Sequence, residues 1–189
     1  MATLAVGGTT VFDGATLQSG AVLTSATFPA GHVLQVVSYY TTAQGTVVYS
    51  SVDQVVNGMT MDITPKGADS DFLVAVRIGG EGPYQWNKVF NIQMDGTRVN
   101  PAANSGSVGL HQNGLGVMTE GHEGENSDST PEFLAFSTLV KNTSSVIGTD
   151  ITFRLVTSGA DTTTSYFNRC VAVNNEEFSS ELIITEIKG

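Results

Sequence analysis

The 189 residues suit one domain, or one domain with an arm, and eighteen acidic side chains against eight basic ones give a formal net charge of −10. A field of that sign repels phosphate groups, and no cluster of Lys or Arg offsets it. Nucleic acids and anionic membranes are therefore excluded as expected partners. Cys170 is the only cysteine, which excludes an intrachain disulfide.

The composition favours strands and turns over helices. Charged residues make up 14% of the chain, 21 residues are glycine, and Thr, Ser and Val are abundant. The sequence shows neither a signal peptide nor an apolar run of membrane-spanning length, and a single cysteine suits a reducing compartment. We therefore expect an all-β protein that is made in a cytoplasm and does not insert into a membrane.

The first 27 residues alternate small apolar and polar side chains, with glycines at positions 7, 8, 14 and 20. This segment offers too little large apolar area for a core of its own. We therefore predict that residues 1–27 form an N-terminal arm, or a pair of edge strands, that packs against a neighbour. A turn follows at 28–31, and strands are predicted at 33–40, 45–50 and 59–63.

The stretch "DITPKGADSDFLVAVRI" at 62–78 carries the strongest pattern of the sequence. Pro65 lacks an N–H group and ends the first strand, and residues 66–70 form a polar loop. The second strand has a core face of alternating apolar residues, Phe72, Val74, Val76 and Ile78. Its other face, with Leu73, Ala75 and Arg77, is partly apolar too. This pattern predicts a strand that is covered on both sides, inside a sandwich or at a subunit contact.

The remaining strands follow at regular spacing, at 89–94, 133–140, 149–157, 163–173 and 181–187. Asp-Gly at 95–96 predicts a tight hairpin turn. Residues 103–132 are rich in Gly, Asn, Ser and acidic residues and contain no Lys or Arg, which is typical of a long functional loop. With no helical periodicity, these roughly eight to ten strands predict a jelly-roll-like antiparallel β-sandwich.

Four segments of the sequence resemble a known group of proteins. They are "FPAGHVLQVV" (28–37), "ITPKGADSDFLVAV" (63–76), "FNRC" (167–170) and "ELIITEIKG" (181–189). In the same order they resemble domains of tailed-phage virion structural proteins and tail-fibre tips, which are similar to the trimeric jelly roll of the tumour-necrosis-factor and complement globular-head superfamily. The resemblance covers residues 28–189, with Cys170 in place of a polar residue and 103–132 as an insertion.

The resemblance implies a homotrimer displayed on a virion, without fixing its position there. Only about 27 residues precede residues 28–189, which we call the head domain, and these are too few for a fibre shaft. We therefore interpret the chain as a non-enzymatic capsid decoration (cement) protein. Its arm would contact the major capsid protein or another virion protein. The alternative interpretation is the receptor-binding tip of a head or tail fibre that binds a host glycan. A polysaccharide-degrading enzyme is the third interpretation.

Two clusters are candidate binding sites. The acidic loop contains possible oxygen ligands for Ca²⁺, namely His122, Glu123, Glu125 and Asp128, with His111 and Glu120 nearby. Their spacing matches no known metal-binding loop, so we predict a solvated loop and no cofactor. In "EGPYQW" (81–86), Tyr84 and Trp86 form a candidate carbohydrate platform, which Tyr39, Tyr40, Tyr49 and Tyr166 could extend, although large aromatic side chains are buried on average.

No catalytic residue is predicted. The sequence contains no nucleophile elbow, phosphate-binding loop or dinucleotide fingerprint. The neighbouring acids Asp69 and Asp71, like the pair at 176–177, are expected to be solvated in turns and not to face each other across a cleft. Cys170 lies in an apolar segment without a neighbouring base, so we predict a small buried side chain and no nucleophile.

Overall fold

The computed structural model describes residues 3–6, 9–13, 16–17, 29–50, 52–81, 88–99, 114–118, 132–141, 147–159, 164–171 and 177–189. Within these residues the chain forms fourteen β-strands and no helix. The strands are β1 (Thr3–Val6), β2 (Thr9–Asp13), β3 (Thr16–Leu17), β4 (Val33–Thr41), β5 (Gly45–Val48), β6 (Gln54–Ile63), β7 (Ser70–Glu81), β8 (Lys88–Met94), β9 (Thr97–Arg98), β10 (Gly116–Met118), β11 (Glu132–Val140), β12 (Ile151–Ser158), β13 (Thr164–Phe167) and β14 (Ser180–Lys188).

The main strands pair as a hairpin that has been rolled up. Counted inward from the two ends, β4 pairs with β14, β6 with β12, β7 with β11, and β8 with β10, always antiparallel. The result is a front sheet in the order β4-β14-β7-β11 and a back sheet in the order β6-β12-β8-β10. This connectivity is that of a jelly roll. The predicted all-β, jelly-roll-like antiparallel sandwich is confirmed.

Short strands complete the two sheets. β5 and β13 pair with each other and extend the front sheet at one end of β7, and β9 forms a hairpin with β8 in the back sheet. The hairpin turns at Asp95 and Gly96, whose φ angles of 49° and 80° are both left-handed, as a two-residue Asp-Gly turn requires. The predicted turn is confirmed. In the N-terminal segment, β1, β2 and β3 pair with one another and with no other described strand.

The core lies between the two sheets. The predicted inward face of β7, with Phe72 and Ile78 at 0% exposure, packs against inward residues of β12 and β8 such as Phe153 and Ile92. Phe72 and Phe153 meet edge to face at 5.4 Å between ring centroids. Burying a side chain of this size contributes roughly 1.5–3 kcal/mol, so this double layer is the main source of stability.

Two predicted boundaries were wrong because the chain leaves the regular strand path there. β6 begins at Gln54, not at 59, and the left-handed Asn57 (φ 28°) and Gly58 (φ 72°) interrupt its pleat. A register shift opposite this point, between Arg154 and Val156, marks a β-bulge, which breaks the apolar alternation in the sequence. β13 ends at Phe167, short of the predicted 173, because Asn168 is left-handed (φ 59°).

Candidate functional site

The outer face of the front sheet is the most apolar exposed surface among the described residues. The alternating burial of β7 turns Leu73, Ala75 and Arg77 away from the core. Ten large apolar side chains of the described chain are strongly exposed, and six of them lie on the outer side of β4, β7 and β11: Val33, Val36, Tyr40, Leu73, Phe133 and Leu139. Contiguous apolar surface of this kind marks an interaction site.

Strand register arranges these residues in rows across the four strands. One row consists of Val36, Thr185, Leu73 and Leu139. The next row consists of Ser38, Ile183, Ala75 and Ser137, and a third of Tyr40, Glu181, Arg77 and Ala135. We call the surface formed by these rows, together with Val33, Asp71, Phe133 and Lys141, the front face. Side chains that lie opposite one another in such rows are close enough to form one continuous surface.

An aromatic pair closes one end of the front face. The rings of Phe133 and Phe178 meet edge to face, with their centroids 5.2 Å apart. Both rings lie over Gly79, where a Cβ atom would come within 2.7 Å of each. Glycine at position 79 therefore lets the two rings lie against the backbone of β7. Phe133 nevertheless stays 59% exposed.

The charged members of the front face balance one another. Lys141, directly after β11, forms an ion pair with Asp71, and both are at the rim. Arg77 and Glu181 lie opposite each other on the two central strands, β7 and β14. The front face therefore has no formal net charge, although the whole chain carries −10. Its contribution to repulsion between copies of the chain is correspondingly small.

A buried carboxylate holds the strands of the front sheet in place. Glu186 in β14 is 0% exposed, and its carboxylate accepts hydrogen bonds from Lys66 N (2.8 Å), Gly67 N (2.9 Å) and Ser70 Oγ (2.5 Å). Gln35 in β4 donates from Nε2 to the same carboxylate at 2.6 Å. Hydrogen bonds to a charged group contribute roughly 1.5–3 kcal/mol each. Glu186 therefore ties β4, β14 and the β6–β7 loop together.

Three of the four segments that resemble phage proteins meet at this carboxylate. Gln35 belongs to "FPAGHVLQVV", residues 66–70 to "ITPKGADSDFLVAV", and Glu186 to "ELIITEIKG". Sequence reasoning missed this network, although a signal exists. Glu186 occupies the apolar phase of its strand, in step with Leu182 and Ile184, where only a buried and fully bonded acid is tolerated.

The fourth segment, "FNRC", forms the corner between β13 and β14. The Asn168 side chain donates from Nδ2 to Ala43 O (2.9 Å) and accepts from Ser180 Oγ (2.5 Å), and its backbone N–H donates to Gly79 O (3.0 Å). Arg169 then stacks on the Tyr166 ring at 4.5 Å. These contacts give all four segments structural roles in the front sheet.

The predicted metal and ligand residues lie outside the described residues. This holds for His122, Glu123, Glu125 and Asp128 and equally for Tyr84 and Trp86. Within the described parts of the chain, no group of three or more His, Cys, Asp or Glu side chains is placed to hold a metal ion. These sites therefore remain predictions.

The other candidate residues are dispersed. Cys170 is 0% exposed, which confirms the predicted small buried side chain. Tyr49 is 1% exposed and Tyr39 packs against the core, so the prediction that they extend an aromatic platform was wrong for both. Tyr49 directly follows the end of β5, and Tyr39 lies in the inward phase of β4. Tyr40, one residue further, lies in the outward phase and is 60% exposed.

Comparisons with known proteins leave the family open. No model of a protein family matches the chain, and no curated protein sequence matches it. Among solved structures, the chain is similar to one described as the structure of infectious bursal disease virus Gx strain, with 12% sequence identity and a TM-score of 0.32. The similarity covers 97% of this chain and 44% of that one, so the chain spans less than half its length. No inference about function rests on a likeness of that size.

Among the described residues, no helix is long and apolar enough to cross a bilayer.

Proposed function

We propose that the chain is a non-enzymatic virion structural protein of a tailed phage that assembles into a homotrimer through its front face and decorates the capsid shell. The observation that carries this proposal is the front face itself, a continuous and largely apolar outer sheet surface whose charges sum to zero. A surface of that kind gains free energy when a partner removes it from water, at roughly 25 cal/mol for each Å² of apolar area.

The dimensions of the front face suit a subunit contact. Four strands about 4.8 Å apart and nine residues long, at about 3.3 Å per residue, form a patch of about 600 Å². Specific interfaces bury about 800 Å² on each partner, so the sheet supplies most of one side and the neighbouring loops supply the rest. A second copy of the chain offers a surface of the same size and chemistry.

Attachment to the shell is assigned to the N-terminal arm. Residues 1–27 reach at most about 90 Å when fully extended, which is enough to contact a neighbouring capsid subunit or another virion protein. A trimer carries three arms, so weak individual contacts add up to strong binding. The contacts of the trimer would then stabilise the shell against the pressure of the packaged DNA.

Two measurements test the proposal. Sedimentation equilibrium of the purified chain should give about three times the 19.8 kDa mass of one copy, and a monomer at micromolar concentration would contradict the trimer. Electron cryo-microscopy of the virion should find the protein repeated over the capsid lattice. Density confined to the ends of fibres would contradict the decoration role. It would support the alternative, a receptor-binding fibre tip that binds a host glycan.

A deletion separates attachment from folding. Removing residues 1–27 should leave the thermal melting of the head unchanged and abolish its binding to capsids. As a matched control, replacing residues 106–128 by a short Gly-Ser linker should leave both capsid binding and host adsorption unchanged. Loss of adsorption in this variant at normal copy number would favour the receptor-binding alternative.

A further inference from the structure

The third row of the front face places two opposite charges at its centre. Glu181 of β14 and Arg77 of β7 are direct cross-strand neighbours. Arg77 nevertheless donates from Nη2 to Ser179 Oγ (3.0 Å), and among the described residues the carboxylate of Glu181 makes neither a hydrogen bond nor an ion pair. The pair that strand register would allow within one copy is therefore not formed.

Apolar surface borders this charged row on both sides. Ile183 and Ala75 are the central residues of the row on one side, and the Phe133–Phe178 ring pair lies on the other. A partner that covers the apolar surface must also cover the charges. An ion that is buried without a counter-ion costs several kcal/mol, so Glu181 needs a cation beside it when the front face is covered.

We propose that a second copy of the chain supplies this cation, so that Arg77 of one copy pairs with Glu181 of the next and sets the register of the assembly. This inference rests on the proposed assembly through the front face. Both residues lie on the two central strands, where symmetry-related copies meet. A second copy offers the required charge next to a matching apolar surface, and the neutral front face keeps the net charge of −10 away from the contact.

Charge reversal tests the pair, with sedimentation velocity as the readout. Arg77→Glu and Glu181→Arg should each weaken self-association at least roughly 30-fold, because each places like charges at a buried contact. The control is Lys141→Glu, which changes the charge of the same surface by the same amount at a side chain that is 70% exposed, and it should change self-association less than about threefold. Circular dichroism melts should show that all variants fold.

Mixing the variants distinguishes a contact between copies from one within a copy. The Arg77→Glu chain carries two negative side chains at the contact, and the Glu181→Arg chain carries two positive ones. When the two chains are mixed, contacts between them join opposite charges, so mixed oligomers should form where neither chain assembles alone. In a three-membered ring one like-charge contact must remain, so recovery is partial for a trimer. The doubly reversed chain should recover fully, because all its contacts are complementary.

The outcomes separate this inference from the proposed function. If the unaltered chain is a monomer, both are overturned. If it assembles and the single reversals assemble equally well, the ion pair is overturned and assembly stands. If the doubly reversed chain recovers but the mixture of single variants does not, Arg77 and Glu181 act within one copy and the inference is again overturned.

Discussion

The outer faces of the two sheets differ in how far they are exposed to solvent. In the back sheet, the outward residues Val156 and Ser158 of β12 are 1% and 0% exposed. On this face Arg98 donates two hydrogen bonds to the carboxylate of Asp53 and a third to Ser158 Oγ at 3.1 Å. In the front sheet, Leu73 of β7 stays 37% exposed. Among the described residues, the chain itself covers this part of the back sheet's outer face, whereas the outer face of the front sheet stays apolar and exposed.

This difference teaches that apolar residues on both faces of a strand do not by themselves reveal what covers them. In the back sheet the cover is intramolecular and includes the charged pair of Arg98 and Asp53. In the front sheet a cover must come from outside the described residues, which is why we assign assembly to that face. The following variants test this contrast, in order of expected effect.

The largest effect is expected from a charge on the closed face. Val156→Asp replaces a packed apolar side chain by a carboxylate at a site with 1% exposure, so even with Arg154 two residues away on the same face of β12 the free energy of unfolding should fall by about 3–5 kcal/mol. Urea unfolding measures it. A loss below about 1 kcal/mol would show that the back face opens to water.

The next effect concerns the carboxylate that holds the front sheet. Glu186→Ala removes the acceptor for Gln35 and for the β6–β7 loop and leaves buried donors unpaired, so we expect a loss of about 3 kcal/mol in unfolding free energy. Glu186→Gln keeps the size and one acceptor oxygen and should lose less. Equal losses in the two variants would mean that packing, not hydrogen bonding, explains the role of Glu186.

A charge on the open face should act on assembly and spare the fold. Leu73→Asp changes an exposed residue of β7, so unfolding of the isolated chain should change by less than about 1 kcal/mol. Self-association should weaken about 100-fold, which corresponds to the roughly 2–3 kcal/mol lost when a buried contact is replaced by a charge. Sedimentation velocity measures the association, and unchanged assembly would remove Leu73 from the interface.

The smallest effect concerns the bonded pair of the back face. Arg98→Lys keeps the charge and loses the two-pronged contact with Asp53, so we expect a loss of about 1 kcal/mol in unfolding free energy and no change in assembly. A matched Lys141→Arg change at the exposed pair with Asp71 should have no measurable effect. Impaired assembly in Arg98→Lys would place the back face in the subunit contact as well.

Much of the fold was predictable because the side-chain period of a strand is local. The alternation of residues 72–78 identified the inward face of β7, Pro65 marked the end of β6, and Asp-Gly at 95–96 marked a hairpin. The start of β6 was not predictable in the same way, because the bulge at Asn57 and Gly58 reverses which residues face inward.

The candidate site was only half visible in the sequence. A period of two separates the faces of a strand, so Leu73 and Ala75 could be placed opposite the core before the structure was known. Whether such a face is covered depends on which distant segments come to lie on it. In the back sheet those segments carry Asp53 and Arg98, which are 45 residues apart.

The same limit applies to Glu186, whose partner Gln35 lies 151 residues away. Its place in the apolar phase of β14 was fixed by local alternation, but its hydrogen bonds exist only because β4 and β14 are the outermost pair of the rolled hairpin. Sequence alone determined the strands and their two faces, since these follow from neighbouring residues. Tertiary structure alone decided which face is open and which buried charge is satisfied, since both depend on contacts between residues far apart in the chain.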